Sequence, residues 1–259
     1  MIGTVARRFG RAAVSYDGAA ELQRGVADDL MTRIRTLDLP RRPRVLEIGC
    51  GTGLLSRQLA ALDPVLLCLT DIAPEMARMA AARQDLASPL VMDGARPCFA
   101  EGSFDLIAAS MSMQWFDEPA MALPRLCALL APGGTLAFAA LAGDNFPEWR
   151  QALADARLPA GVQRFTEPSD WLACLPEGAT VEESPRLMRY ADAGDFLASL
   201  KRIGADMPVA GYRPLPPGAL RRVMRRFETG LAVTYNIVYG VYRRPNSSRL
   251  PLSGKLKDH

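Results

Sequence analysis

Seven residues near the end of the first fifth of the chain carry the most chemical information. Glu47-Ile-Gly49-Cys50-Gly51-Thr-Gly53 sets three glycines at alternate positions, after an apolar run and before a helical pattern. Glycine, lacking Cβ, lets the main chain turn tightly and lets a ligand lie against backbone amides. The spacing G-x-G-x-G departs from the dinucleotide pattern G-x-G-x-x-G, and no Lys-Ser/Thr follows it. That departure favours a ligand without a diphosphate. Glu47, an acid at the end of an apolar run, suits a ligand bearing a positive amino group. Asp71 closes the next apolar run, where a carboxylate can accept two hydrogen bonds from ribose hydroxyls. Asp93 and Gly94 follow the third run, where an adenine edge would lie. A lone Asp after a strand is as readily a helix cap, but acids and glycines in this order favour a ligand site.

What the chain lacks narrows the chemistry further. Of its 259 residues only one is His, and it is the last, His259. A Ser-His-Asp triad, a Cys-His pair and a multi-His zinc site are therefore excluded, and no metal is expected. Lysine occurs only at Lys201, Lys255 and Lys257, which leaves Schiff-base chemistry a single candidate outside the tail. A net charge of +3 does not argue for nucleic acid. Cys50, Cys68, Cys98, Cys127 and Cys174 form no C-x-x-C and sit in apolar stretches. They read as reduced core thiols of a cytoplasmic protein. No apolar run approaches the roughly 18 residues of a membrane span.

The elements that must position these residues are legible from periodicity. Leu22, Val26, Leu30, Ile34 and Leu37 recur at helical spacing. Apolar runs at 44–48, 65–70, 89–92, 104–110 and 135–142 read as strands, separated by helical patterns at 54–62, 74–84 and 120–130. Pro132-Gly133-Gly134 reads as the stop of the last of these helices. The alternation predicts a parallel sheet covered by helices, with functional loops at the carboxyl ends of the strands. Beyond Gly143 helices are expected at 146–158, 169–174, 195–204 and 218–228, and a strand within 179–190. Residues 233–241 alternate and read as one strand, the last of the sheet.

Val45 to Gly53, Asp71, Asp93, Phe104-Asp105-Leu106 and Pro132-Gly133-Gly134 together resemble the class I S-adenosylmethionine-dependent methyltransferases. The resemblance implies an α/β, Rossmann-like fold: a mostly parallel seven-stranded sheet with helices on both faces and a helical lid and cap. It also implies S-adenosyl-L-methionine as cofactor, held by Glu47, Gly49, Cys50, Gly51, Gly53, Asp71, Ile72, Met76, Asp93, Gly94 and Ser110.

Outside that core, Phe9-Gly-Arg-Ala-Ala13, Tyr16, Leu22-Gln23, Met113-Gln-Trp115, Phe146-Pro-Glu148, Arg164-Phe165, Ser199-Leu-Lys201, Ile203-Gly-Ala205 and Thr234-Tyr235 resemble the malonyl-acyl-carrier-protein O-methyltransferases of biotin synthesis. Met1 to Gly18, Arg-rich and acid-poor, thus reads as part of the fold and not as a transit peptide. Ser110 stands where that family leads one to expect Asn, and Glu47 where many members carry Asp. The implied reaction methylates the free carboxylate of a malonyl thioester, on an acyl-carrier protein or on coenzyme A. A carboxylate of pKa roughly 3.9 is already ionised, so no general base is needed. A methyltransferase for another small molecule, and a fold relative resembling respiratory complex I assembly factors, are the alternatives.

Catalysis would then be positioning, with Tyr16, Arg11 and Gln114 as candidates, Arg being the natural partner of an anion. Trp115, Arg164, Lys201 and Arg202 are candidates for contact with the acceptor. Arg221, Arg222, Arg225 and Arg226, with Arg213 nearby, form a basic cluster that reads as a landing site for an acidic carrier, chiefly through Arg222 and Arg226. The expected layout is a helical lid at 1–38, a cofactor core at 39–142, a cap with the final strands at 143–244, and a poorly ordered tail at 245–259. A monomer, free of nucleic acid and membrane, is expected.

Overall fold

A computed structural model describes residues 2–83, 87–209, 211–227 and 230–246. Two helices open the chain, α1 (Ile2–Ala19) and α2 (Glu21–Ile34). The strand–helix alternation follows as β1 (Arg44–Ile48), α3 (Ser56–Ala60), β2 (Leu66–Asp71), α4 (Pro74–Ala81), β3 (Ala87–Val91), β4 (Phe104–Ser110), α5 (Pro119–Ala128) and β5 (Leu130–Leu141). The second half contributes α6 (Pro147–Asp155), α7 (Pro168–Ala173), β6 (Thr180–Glu183), β7 (Arg186–Tyr190), α8 (Ala193–Arg202), α9 (Pro217–Met224), β8 (Leu231–Tyr235) and β9 (Ile237–Arg243).

Seven strands form one sheet in the order β3-β2-β1-β4-β5-β9-β6. Strands β1 to β5 pair in parallel, and β9 runs antiparallel to both β5 and β6. Side chains alternate across the pleat and feed two cores. Val45, Leu106 and Ala108 pack with α2 and with the cap residues Trp149 and Phe196. Leu46, Ile107 and Ala109 face the opposite way, against Leu123 and Leu126 of α5 and Trp171 of α7. This is the Rossmann-like class I methyltransferase fold, helices on both faces of a mostly parallel sheet. Asp105 staples β1 to β4 at their amino ends: its Oδ2 accepts from the Arg44 backbone N–H at 2.8 Å and Nε at 3.0 Å. That keeps the Phe104-Asp105-Leu106 motif structural and remote from the ligand ends of the strands.

Four sequence expectations need correction. Pro132-Gly133-Gly134 does not stop α5, which already ends at Ala128; it lies inside β5 at an irregularity, where Phe104 pairs Leu130 but Leu106 pairs Thr135. The alternating segment 233–241 is two strands, not one. Val233, Tyr235, Ile237 and Tyr239 do share one core, yet β8 pairs only with β7, in a separate two-stranded ribbon. The chain switches sheets at Asn236, whose N–H donates to Asn145 Oδ1 at 2.9 Å and whose carbonyl accepts from Ala142 N–H. The segment 1–38, expected as one lid, is not uniform: α2 belongs to the core, burying Leu22, Val26, Leu30, Met31 and Ile34 on the sheet. Cys50, Cys68 and Cys127 are buried thiols, but Cys98 is exposed. Most of the tail after Arg244, and His259 with it, lies outside the described residues.

Candidate active site

At the carboxyl ends of β1, β2 and β4 lies a cavity of about 660 Å³. The chain leaves β1 through Gly49 at φ +69° and Gly51 at φ +54°, a region that favours glycine. A Cβ on Gly49 would stand 2.3 Å from the Ser112 Cβ, so the loop closes on the β4 end only as glycine. Ser112 fixes that closure by donating to the Ile48 carbonyl at 2.7 Å. Gly51 has open space at its Cβ position, which turns its backbone toward the cavity.

Asp71 ends β2 inside this wall. Its Oδ2 accepts from Gly51 N–H at 2.9 Å and its Oδ1 from Ala73 N–H at 2.8 Å. Burial pushes its carboxyl up from the ordinary value, and those backbone donors oppose the rise. Each oxygen keeps acceptor capacity for a ligand hydroxyl. Asp93 Oδ1 takes the Ala95 N–H at 3.0 Å, which holds the loop after β3 around the cavity.

Helix α1 lies across this opening. Ala13 packs on Ala73 and Met76, with Phe9, Tyr16 and Met79 around them. Asp17 seats the end of the helix, accepting from Thr52 Oγ1 at 2.5 Å and Arg83 Nη1 at 2.8 Å. Tyr16 is pushed upward by burial and by Asp71 and Asp17. Its hydroxyl therefore stays protonated and serves as a donor, not a base.

Behind the aromatic wall is a second cavity of about 330 Å³, enclosed by α1, α6, α8 and the cap loops. Phe9, Tyr16, Met111 and Trp115 line both cavities. Phe9 and Trp115 meet edge to face at 5.7 Å, and Trp115 meets Phe165 at 6.0 Å. Met111 at φ +54° and Phe146 at φ +60° hold uncommon left-handed backbone beside this second cavity. The Trp115 Nε1 and Gln114 Oε1 are buried there without a protein partner, whereas Gln114 Nε2 donates to the Met111 carbonyl at 2.8 Å. Buried polar atoms are normally satisfied, so this pair, one donor and one acceptor beside the cavity, stands out.

Of the sequence-derived residues, Gly49, Gly51, Asp71, Ile72, Met76, Asp93, Gly94 and Ser110 line the larger cavity. Glu47, Cys50 and Gly53 do not. The Glu47 carboxyl is buried behind the glycine loop, accepts from Ser56 Oγ at 2.6 Å and is pushed up to about 8 by burial. Cys50 is core, and Gly53 makes room for Ala80. Tyr16, Gln114 and Trp115 line the smaller cavity, but the charged candidates stay outside. Arg11 and Lys201 lie on an outer groove, Arg164 pairs with Asp144 at 3.1 Å, and Arg202 pairs with Asp195 at 3.3 Å. Arg226 pairs with Asp155 at 3.0 Å, and Arg222 borders a separate surface pocket. Among the described residues no Arg or Lys lines the smaller cavity, and its one charged lining residue, Asp206, is paired with Arg8. Sequence reasoning missed Phe9 and Met111 as site residues. Phe9 stands seven positions before Tyr16, two turns along the same helix face, a signal that was available.

A family model described as a methyltransferase domain matches residues 19–177. The chain is 38% identical over 257 residues to the malonyl-[acyl-carrier protein] O-methyltransferase of Magnetococcus marinus, covering 95% of this chain and 94% of that one. The chain belongs to this methyltransferase family. It is also 44% identical over 245 residues to the biotin biosynthesis bifunctional protein BioCD of Bordetella avium, where 93% of this chain spans only 52%, about half, of that protein. Among solved structures, the YcgJ protein of Bacillus subtilis matches with a TM-score of 0.60 at 15% identity, over 84% of this chain and 98% of that one. A putative methyltransferase of Bacillus halodurans matches with a TM-score of 0.59 at 14% identity, covering 84% and 99%. These structural likenesses bear on the fold alone. Among the described residues, no helix is long and apolar enough to cross a membrane.

Proposed function

We propose that this protein transfers a methyl group from S-adenosylmethionine to the free carboxylate of a malonyl thioester held on an acyl-carrier protein; the name of its Magnetococcus marinus relative, malonyl-[acyl-carrier protein] O-methyltransferase, supports this reading. The observation that carries the reading is the pair of cavities meeting at one wall, Phe9, Tyr16, Met111 and Trp115. One cavity suits a nucleoside, the other a short thioester arm. In the larger one, Gly49 and Gly51 leave room against the backbone, Asp71 offers acceptors to ribose hydroxyls, and Asp93 and Gly94 border the place for a base. A cavity of this size suits a ligand of that class. Bound there, S-adenosylmethionine supplies an electrophilic methyl group on a sulfonium.

The protein's own task is to aim the carboxylate and keep water out. Tyr16 donates from the wall, and the unpartnered Trp115 Nε1–H is a second donor for a carboxylate or thioester carbonyl. The Gln114 Oε1 is an acceptor for an amide N–H, such as a pantetheine arm carries. No residue is asked to take a proton, because the acceptor arrives ionised. Alignment of two bound reactants in a closed aromatic site is the source of rate. The test is incubation with malonyl-acyl-carrier protein and S-adenosylmethionine, followed by intact-protein mass. Gain of one methyl group, removed by mild ester hydrolysis, is expected; an unchanged mass overturns the reading.

A further inference from the structure

An outer groove of about 490 Å³ runs between α1 and the carboxyl end of α8. Arg7, Arg8, Arg11 and Lys201 line it, with the hydroxyl residues Thr4 and Ser15. Its single acid, Asp206, is already engaged: Arg8 pairs with its carboxylate and donates to its carbonyl at 3.1 Å. Four cations against one neutralised carboxylate make this a local anion site on a chain whose net charge is only +3. The groove also abuts the smaller cavity, because Asp206 lines both. The contact is close: Gly204, at φ +74°, lets α8 approach so near that a Cβ there would lie 3.0 Å from the Arg8 carbonyl. Helix α1 thus turns Phe9 and Tyr16 toward the cavities and Arg7 and Arg11 toward the groove. At a helical rise of about 1.5 Å per residue, Arg11 and Arg7 stand about 7 and 13 Å along the axis from Tyr16.

An acyl-carrier protein holds its thioester at the end of a pantetheine arm rooted in a phosphodiester. Resting on the thioester reading above, we propose that this groove receives that phosphodiester and so docks the phosphopantetheinylated carrier beside the acceptor cavity. Guanidinium groups bind such oxygens through charge-assisted hydrogen bonds, and among the described residues Arg7, Arg11 and Lys201 make no ion pair that would compete. The basic cluster on α9 fits the role less well. Its pocket, with Arg221, Arg222 and Arg225, shares no lining residue with either cavity. It sits at the amino end of α8, a full helix length of about 15 Å from the groove.

The experiment titrates the full chain with acyl-carrier protein in its phosphopantetheinylated form and in its apo form, with no malonyl group and no methyl donor. It therefore reads docking whether or not the methylation assay succeeds. The wild-type protein is expected to bind the phosphopantetheinylated form more tightly than the apo form. Arg7→Glu/Lys201→Glu is expected to weaken that binding by at least about tenfold, flatten its dependence on salt and erase the difference between the two forms. Arg221→Glu/Arg222→Glu serves as the control, with binding unchanged, and a thermal melt confirms that both variants fold. Equal binding of the two forms by the wild-type protein overturns the proposal, as does unchanged binding by Arg7→Glu/Lys201→Glu or a loss confined to the α9 variant. Failure of methylation alongside the expected docking result would reject the reaction and keep the groove.

Discussion

The larger cavity is walled by turning backbone and by acids at strand ends, all from residues close together in sequence apart from the α1 side chains. The smaller is walled by side chains from α1, the β4 end and the cap, spread from Phe9 to Tyr235. In the first, shape comes from φ angles and hydrogen bonds to main-chain amides. In the second, it comes from aromatic packing and neutral polar atoms. A nucleoside that never changes can be met by fixed backbone. On the function proposed above, the acceptor arm is met instead by side chains from distant segments. The difference predicts that single substitutions separate the two sites, except at the shared wall of Phe9, Tyr16, Met111 and Trp115, where the change must keep the wall intact.

The hardest break is Gly49→Ala. It adds a Cβ where Ser112 already stands and strains a left-handed residue, so S-adenosylmethionine affinity should fall by at least about 100-fold in a calorimetric titration. A melt close to that of the wild type would place the defect in the loop and not the fold. On the other side, Trp115→Phe keeps the aromatic wall but removes the unpartnered Nε1 donor. It should cut kcat/KM for the malonyl thioester about tenfold while leaving methyl-donor affinity within about twofold. Equal losses for both ligands would show that the wall does not divide the sites. Asp17→Asn tests the shared element: it loosens the seat of α1 on Thr52 and Arg83. Both KM values should rise together by about threefold, and a rise in one alone would mean that the helix serves a single cavity.

The gentlest test leaves activity aside. Burial holds the Glu47 carboxyl at about 8, above its ordinary 4.5. The native state therefore keeps a proton that the unfolded chain releases. Stability from this source is complete below about 4.5 and is lost as the pH rises toward 8. Glu47→Gln keeps an acceptor for Ser56 and cannot ionise, so its Tm should fall less than the wild type's across that interval. Parallel Tm profiles would mean that Glu47 is ionised in the fold.

The same contrast explains what the sequence could tell. The glycine loop, Asp71, Asp93 and Gly94 were legible because backbone conformation and strand ends leave short-range marks. β1 and β4 were read with their observed ends. Glu47, expected to meet the ligand, lies behind the loop instead of lining the cavity, and nothing local in the sequence shows that Ser56 turns back to bind it. The continuous strand over 233–241 failed for a tertiary reason. Alternation survives the sheet switch at Asn236, and only the Asn145 side chain, far off in sequence, records the break. Arg11, Arg164 and Arg202 were candidates for the acceptor, but charge alone does not say which way a side chain faces, and none of the three lines the smaller cavity. Gln114 and Trp115 were found through resemblance; their unpaired atoms became visible only in the fold.

The switch at Asn236 has a consequence for how this architecture changes over time. The chain leaves β5 after Leu141 and enters β9 at Ile237, touching the sheet in between only as its edge strand β6, and Leu141 and Ile237 are cross-strand partners. Asn145 and Asn236 clamp the two ends within one turn of each other. The cap chain therefore begins and ends at the same place, like a drawer on a fixed frame. Lengthening or shortening it changes the closure entropy only logarithmically, and leaves the glycine loop and its acids untouched. New acceptors can be tried by exchanging the drawer while the methyl-donor half stays as it is.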